Sequence, residues 1–145
     1  MKKEREEVWL DEPNMLTFEA QGFQCIIRRM STGHLCGYVG ITKSHRWYGI
    51  YYADFARLIT VHGGVTFSDH WRWDGDLPDE NVWWIGFSCT SEGDYIPYDD
   101  RPSIGNQVYR DMSYVMCEVE GLALQLSQIK KRSILNKIYN LLRRK

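Results

Sequence analysis

The side chains able to do chemistry stand singly along this chain. Its four histidines are at 34, 45, 62 and 70, and its four cysteines at 25, 36, 89 and 117, with no CxxC pair. His62-Gly63-Gly64 leads into a strand-like run that ends at Asp69-His70. A histidine followed by two glycines resembles the backbone-amide donor segment of ester hydrolases, but that chemistry also needs a serine on a GxSxG turn. The chain has no such serine, so no catalytic residue is assigned. Imidazole and thiolate suit zinc. His34 and Cys36, two apart on an extended strand, would share one face. With His62, His70 and Asp69 they make up the alternative, a metal site. The remaining spacings lack a metal-ligand signature, so no cofactor is expected. Asp69 and His70 are neighbours on a strand and point to opposite faces, which argues against a carboxylate–imidazole dyad.

Binding is the stronger reading. Glycine turns expose backbone amides to anionic oxygens, and aromatic rings offer stacking surfaces to a base. The candidate ligand site is His62, Gly63, Gly64, Arg46, Trp47, Tyr48, Trp83, Trp84 and Asp94, suited to a small nucleotide-like ligand. The competing reading is an aromatic core with a basic solvated rim. Six tryptophans in 145 residues are hard for one small domain to bury completely, so some are expected at a cleft or interface.

The elements that must position these residues follow from periodicity. Alternation and turn residues predict strands at 16–20, 23–30, 35–41, 64–68 and 82–89. The hairpin of 64–68 with 82–89 is expected at the centre of the sheet. Residues 90–106 read as a long loop. Val108, Met112, Val115, Val119, Leu122, Leu126 and Ile129 recur at alternating steps of four and three, which predicts a helix over 107–128 with one apolar stripe. The expected class is α+β: a mostly antiparallel sheet of four or five strands, covered by one long C-terminal helix. Residues 1–14 read as a tail tacked down by Trp9 and Leu10, and 15–129 as the single domain. Residues 130–145 read as a basic amphipathic helix. Its Ile134, Leu135, Ile138, Leu141 and Leu142 predict self-association into a homo-oligomer.

The formal net charge of −1 argues against a dedicated DNA-binding protein. From Asp69 to Glu120, twelve acidic residues stand against three basic ones, whereas 130–145 hold seven basic residues and no acidic ones. That segregation points to contacts with a partner or between subunits. No apolar leader follows Met1, and no apolar run is long enough to span a membrane. A cytoplasmic protein with reduced thiols is expected.

Four ordered segments carry a family resemblance. They are Gly33-His34-Leu35-Cys36-Gly37-Tyr38-Val39-Gly40, His62-Gly63-Gly64-Val65-Thr66-Phe67-Ser68, Trp83-Trp84-Ile85-Gly86-Phe87-Ser88-Cys89 with Gly93-Asp94, and Tyr109-Arg110 with Tyr114-Val115 and Glu118. Together they resemble a group of small, uncharacterised phage and prophage proteins reading GHxCGYVG, HGGxT[YF]S, WWxGFDCAHxGD and YRTxEYVxxE. The resemblance covers about residues 18–128. It departs from the group at Phe87-Ser88-Cys89-Thr90-Ser91, where the pattern's aspartate and histidine are replaced. The resemblance implies a phage-type accessory protein in an infected or lysogenic bacterial host. A defence role follows from what such small proteins commonly do. The expectation is a non-catalytic binding protein that interferes with host defence by sequestering a nucleotide-like ligand or blocking a host protein. The alternative is a metal-dependent hydrolase of a nucleotide or phosphoester, drawing on His34, Cys36, His62, Asp69 and His70.

Overall fold

The computed structural model describes residues 7–71, 78–100 and 105–129, together with residue 142. Strands β1 (Met15–Ala20), β2 (Phe23–Arg29), β3 (Leu35–Thr42), β4 (Phe67–Asp69) and β5 (Val82–Ser88) form one antiparallel sheet in the order β1-β2-β3-β5-β4. One helix, α1 (Met112–Ser127), packs on β1, β2 and β3. The class is α+β, as the periodicity predicts. Among the described residues no helix is long and apolar enough to cross a membrane. The basic helix expected over 130–145 lies outside the described residues, apart from residue 142.

The sheet buries side chains on both faces. Leu35, Val39 and Ile41 of β3 join Ile27, Ile85 and Phe87 under Val115, Val119, Leu122, Ala123 and Leu126 of α1. Each of the large ones contributes roughly 2 kcal/mol by leaving water. The alternate positions Cys36 and Tyr38 face the other way, with Ile26, Val82 and Trp84. This period of two is the strand's own geometry. Gly37 sits where β3 passes beneath the helix, and a Cβ there would lie 2.5 Å from Val119 Cγ2.

Two expectations are corrected. The 64–68/82–89 pair is not central: β4 is the edge and β3 the middle strand. β4 has three residues and pairs with β5; Gly64, the expected first residue of this strand, belongs to the turn before it. The helix begins at Met112, not at 107. Asp111 caps it, its carboxylate accepting the Tyr114 N–H at 2.8 Å, which is the local competitor to continuing the helix upstream. Val108 instead exchanges backbone bonds with the preceding loop, donating to Gly93 O and accepting from Tyr95 N, each at 2.8 Å.

The chain between β3 and β4 is pinned to the far end of α1. The Gln125 side-chain amide pairs with the backbone of Thr60 in both directions, at 2.9 and 2.8 Å. His45, buried, places Nε2 2.9 Å from Leu126 O, while its Nδ1 accepts the Trp47 N–H at 3.0 Å. These clamps tie residues 45 and 60 to the helix, on the segment that carries His62.

Candidate functional site

Val61 and Val65 are buried on either side of the glycine turn. Gly63 and Gly64 take φ of 69° and 79°, a conformation costly for other residues. The Gly64 N–H closes the turn on Val61 O at 2.9 Å, so it does not point outward as an anion donor. The turn aims His62 at α1. A Cβ at Gly63 would strike the Ser91 side chain, so this glycine also lets the loop after β5 approach.

That loop delivers an aspartate. Cys89 N donates to Leu35 O at 3.1 Å, which extends the sheet one residue past β5, and Asp94 N then turns back on Ser91 O at 3.0 Å. The Gly93–Val108 exchange brings Arg110 alongside, and α1 places Tyr114 and Glu118 one and two turns further on. The result is a continuous chain of hydrogen bonds. Arg110 Nε donates to Asp94 Oδ1 at 2.9 Å. The Ser91 N–H donates to Asp94 Oδ2 at 2.9 Å. His62 Nε2 lies 2.7 Å from the same oxygen. His62 Nδ1 lies 2.8 Å from the Tyr114 hydroxyl, which reaches Glu118 Oε1 at 3.2 Å.

Asp94 is only 3% exposed, and a buried carboxylate needs such donors. Charge-assisted bonds of this kind are the strong ones. The bond to Asp94 in turn pushes the Arg110 guanidinium above its ordinary range. Arg110 also lies 5.0 Å over the Tyr114 ring, a cation–π contact. Burial, followed by the charge of Glu118, raises the Tyr114 hydroxyl. Burial, then Asp94, raises the Cys89 thiol, which leaves it a poor nucleophile. Both ring nitrogens of His62 are engaged within the protein, as are both oxygens of Asp94. The arrangement joins three segments of the chain.

Of the nine residues of the sequence-derived ligand site, His62, Gly63, Gly64 and Asp94 come together. Trp47 is stacked on Phe55 in the core under the helix, with centroids 4.5 Å apart and planes at 7°. Trp83 and Trp84 are consecutive on β5 and face opposite sides of the sheet. Trp83 donates its indole N–H to Ile50 O at 3.1 Å and meets His70 edge-on at 4.9 Å. Tyr48 packs beside them and donates its hydroxyl to Glu80 O. Arg46 is exposed.

The residues of the alternative metal site do not gather into one site. His34 Nδ1 is 2.7 Å from Thr32 Oγ1. Cys36 lies on the opposite sheet face, in the cluster with Tyr38 and Trp84. His62 is bound to Asp94 and Tyr114. His70 Nδ1 donates to Val82 O at 2.8 Å, while Asp69 Oδ1 accepts the His70 backbone N–H at 2.7 Å. Among the described residues, no three of the His, Cys, Asp and Glu side chains gather as a metal cluster.

Arg110, Tyr114 and Glu118 were not among the sequence candidates. Their spacing of four was the available signal, since residues four apart share a helix face. Comparisons with protein-family models, with curated proteins and with solved structures gave no match.

Proposed function

We propose that this chain is a phage-type accessory binding protein that acts without catalysis and interferes with host defence by blocking a host protein. The observation that supports the non-catalytic reading is that His62 and Asp94 already bond each other, Arg110, the Ser91 N–H and Tyr114. The phage and defence parts rest on the four resembling segments, three of which supply the members of this network.

Between the two modes of interference, the placement of the aromatics favours a protein target. Stacking a base needs exposed ring faces, and Trp47 and Trp84 are buried in separate clusters. The exposed apolar side chains between β3 and β4 are instead Ile50, Tyr51 and Leu58, with Tyr51 57% and Leu58 62% exposed. An exposed tyrosine such as Tyr51 is a common anchor of protein interfaces. The test is native mass spectrometry of the protein purified from a bacterial host, alongside Tyr51→Asp. A stoichiometric protein partner lost in Tyr51→Asp supports the reading. A bound nucleotide at one per chain overturns it in favour of sequestration. Turnover of a phosphoester by the purified protein overturns the non-catalytic part.

A further inference from the structure

The sheet ends in two unlike edges. β4 is three residues long, and so short a strand offers little to pair with. β1, at the other edge, runs six residues in unbroken register with β2, without a bulge, a proline or a lysine. Those are the devices that keep edge strands from pairing. The hairpin sets the direction of its backbone groups. Arg29 N donates to Asn14 O at 2.8 Å, and hydrogen-bonded pairs alternate along an antiparallel ladder. Leu16, Phe18 and Ala20 therefore bond β2, while Met15, Thr17 and Glu19 turn their N–H and C=O outward. Among the described residues, no loop or turn backbone group bonds these three. The chain before β1 is drawn toward the start of α1 instead. Trp9 is buried against the rings of Tyr95 and Tyr109, with centroids 5.6 and 5.1 Å away, and Glu12 accepts the Met112 N–H at 2.6 Å.

The side chains of β1 suit a second copy of the same strand. An antiparallel two-fold centred on Thr17 uses every outward group: Thr17 faces Thr17 of the second copy, and Met15 faces its Glu19. On the helix side of the sheet, the same register sets the half-buried Leu16 opposite Phe18 of the second copy, and Phe18 opposite its Leu16. Such apolar cross-strand pairs are favourable. On the other side the two Glu19 carboxylates stand apart. Arg28 is the β2 partner of Met15, so Glu19 of the second copy, opposite in charge, comes within two strand spacings of it, roughly 10 Å. A register centred on Glu19 sets like charges face to face, and one centred on Met15 leaves Leu16 opposite Asn14 and Phe18 opposite Glu12. We propose that the chain dimerises by this antiparallel β1–β1 pairing, which joins two sheets into one. The pairing uses neither Tyr51 nor residues 130–145, and it does not depend on the binding partner proposed above.

Sedimentation velocity of the full chain tests it. The interface is small, so association is read from about 1 µM to 1 mM. The wild type is expected to pass from monomer to dimer over that range. Thr17→Pro removes the central outward N–H, at a position where an edge strand tolerates proline, and should weaken association about tenfold or more. Thr17→Val keeps that N–H and should change association by less than about threefold. A wild type that stays monomeric overturns the proposal and leaves the edge to a strand of another protein. A dimer equally strong in Thr17→Pro overturns it in favour of another surface, residues 130–145 included. If Thr17→Pro does not fold, amide hydrogen exchange of the wild type decides. Exchange at Thr17 should slow as the protein concentration rises, and by more than at Phe18, which is already bonded to β2. Exchange at Thr17 that is independent of concentration overturns the proposal.

Discussion

His62 Nε2 and Asp94 Oδ2 lie 2.7 Å apart, joining the turn before β4 to the loop after β5. With Arg110 on the other carboxylate oxygen, Asp94 ties both of those loops to the entry of α1. Asp94→Asn leaves a guanidinium and an imidazole without their anion. Arg110 retains some solvent, so the loss falls at the low end for a broken buried pair, about 3 kcal/mol. Urea unfolding followed by tryptophan fluorescence measures it as a shift in midpoint at constant slope. A loss below about 1 kcal/mol would show that the network contributes little to holding the three segments together.

His45 should make stability depend on pH. Its Nδ1 accepts the Trp47 N–H, so in the neutral ring the hydrogen is on Nε2, facing Leu126 O. A second proton would have to enter at Nδ1, against an N–H. Burial lowers the His45 pKa from its ordinary 6.5, and burial lowers His34 in the same direction against the opposing charges of Asp94 and Asp99. The unfolded chain therefore takes up protons first. The stabilisation is fully present above pH 6.5 and is lost as the pH falls toward the lower folded values. The slope is at most about 1.4 kcal/mol per pH unit for each histidine. His45→Gln should flatten the acid limb of a urea-midpoint profile between pH 7.5 and 5, leaving the contribution of His34. A profile unchanged by that substitution would remove His45 from the account.

Two glycines under opposite constraints make a paired test of the helix–sheet contact. A Cβ on Gly121 in α1 meets nothing within 4 Å, whereas one on Gly37 in β3 lies 2.5 Å from Val119 Cγ2 and 2.8 Å from the Phe87 ring. Gly121→Ala should therefore raise stability by about 0.5–1 kcal/mol through helix propensity alone. Gly37→Ala should lower it by roughly 1–3 kcal/mol through overpacking. Thermal melts of the two variants should move in opposite directions. A destabilising Gly121→Ala would mean that this face of α1 is covered.

Why some of this was readable from the sequence, and some was not, can be seen at particular residues. The alternation through Phe23–Arg29 shows because β2 obeys a period of two, and the stripe from Val115 to Leu126 shows because α1 packs along one face. Val108 continues that stripe arithmetically yet belongs to a loop. The four-three spacing cannot register the Asp111 cap or the backbone exchange with Gly93. His62 and Asp94 each stood out alone, but nothing local links positions 62, 94 and 110, because the link is made by two loops meeting past the end of the sheet. The separation of Trp83 from Trp84 was implicit in the strand itself. Aromatic content favoured a shared wall, and the pleat put the two rings on opposite faces.

Cysteine reactivity reports on the same packing from a different direction. Cys25, Cys36 and Cys89 are buried, and Cys117 is exposed. Burial pushes the Cys25 thiol up to about 11, and raises Cys36 and Cys89 as well. The thiolate is the reactive species, so access and ionisation both protect these three. Iodoacetamide at pH 8 should add one adduct to the native protein within minutes, at Cys117, and four in denaturant, as read by intact mass. Cys89 lies at the start of the loop that Asp94 anchors, so Asp94→Asn should speed its labelling more than that of Cys25, which lies in the core cluster with α1 and gains only from the lower global stability. Equal acceleration at Cys25 and Cys89 would mean that the substitution acts through global unfolding alone, with no added opening of the loop.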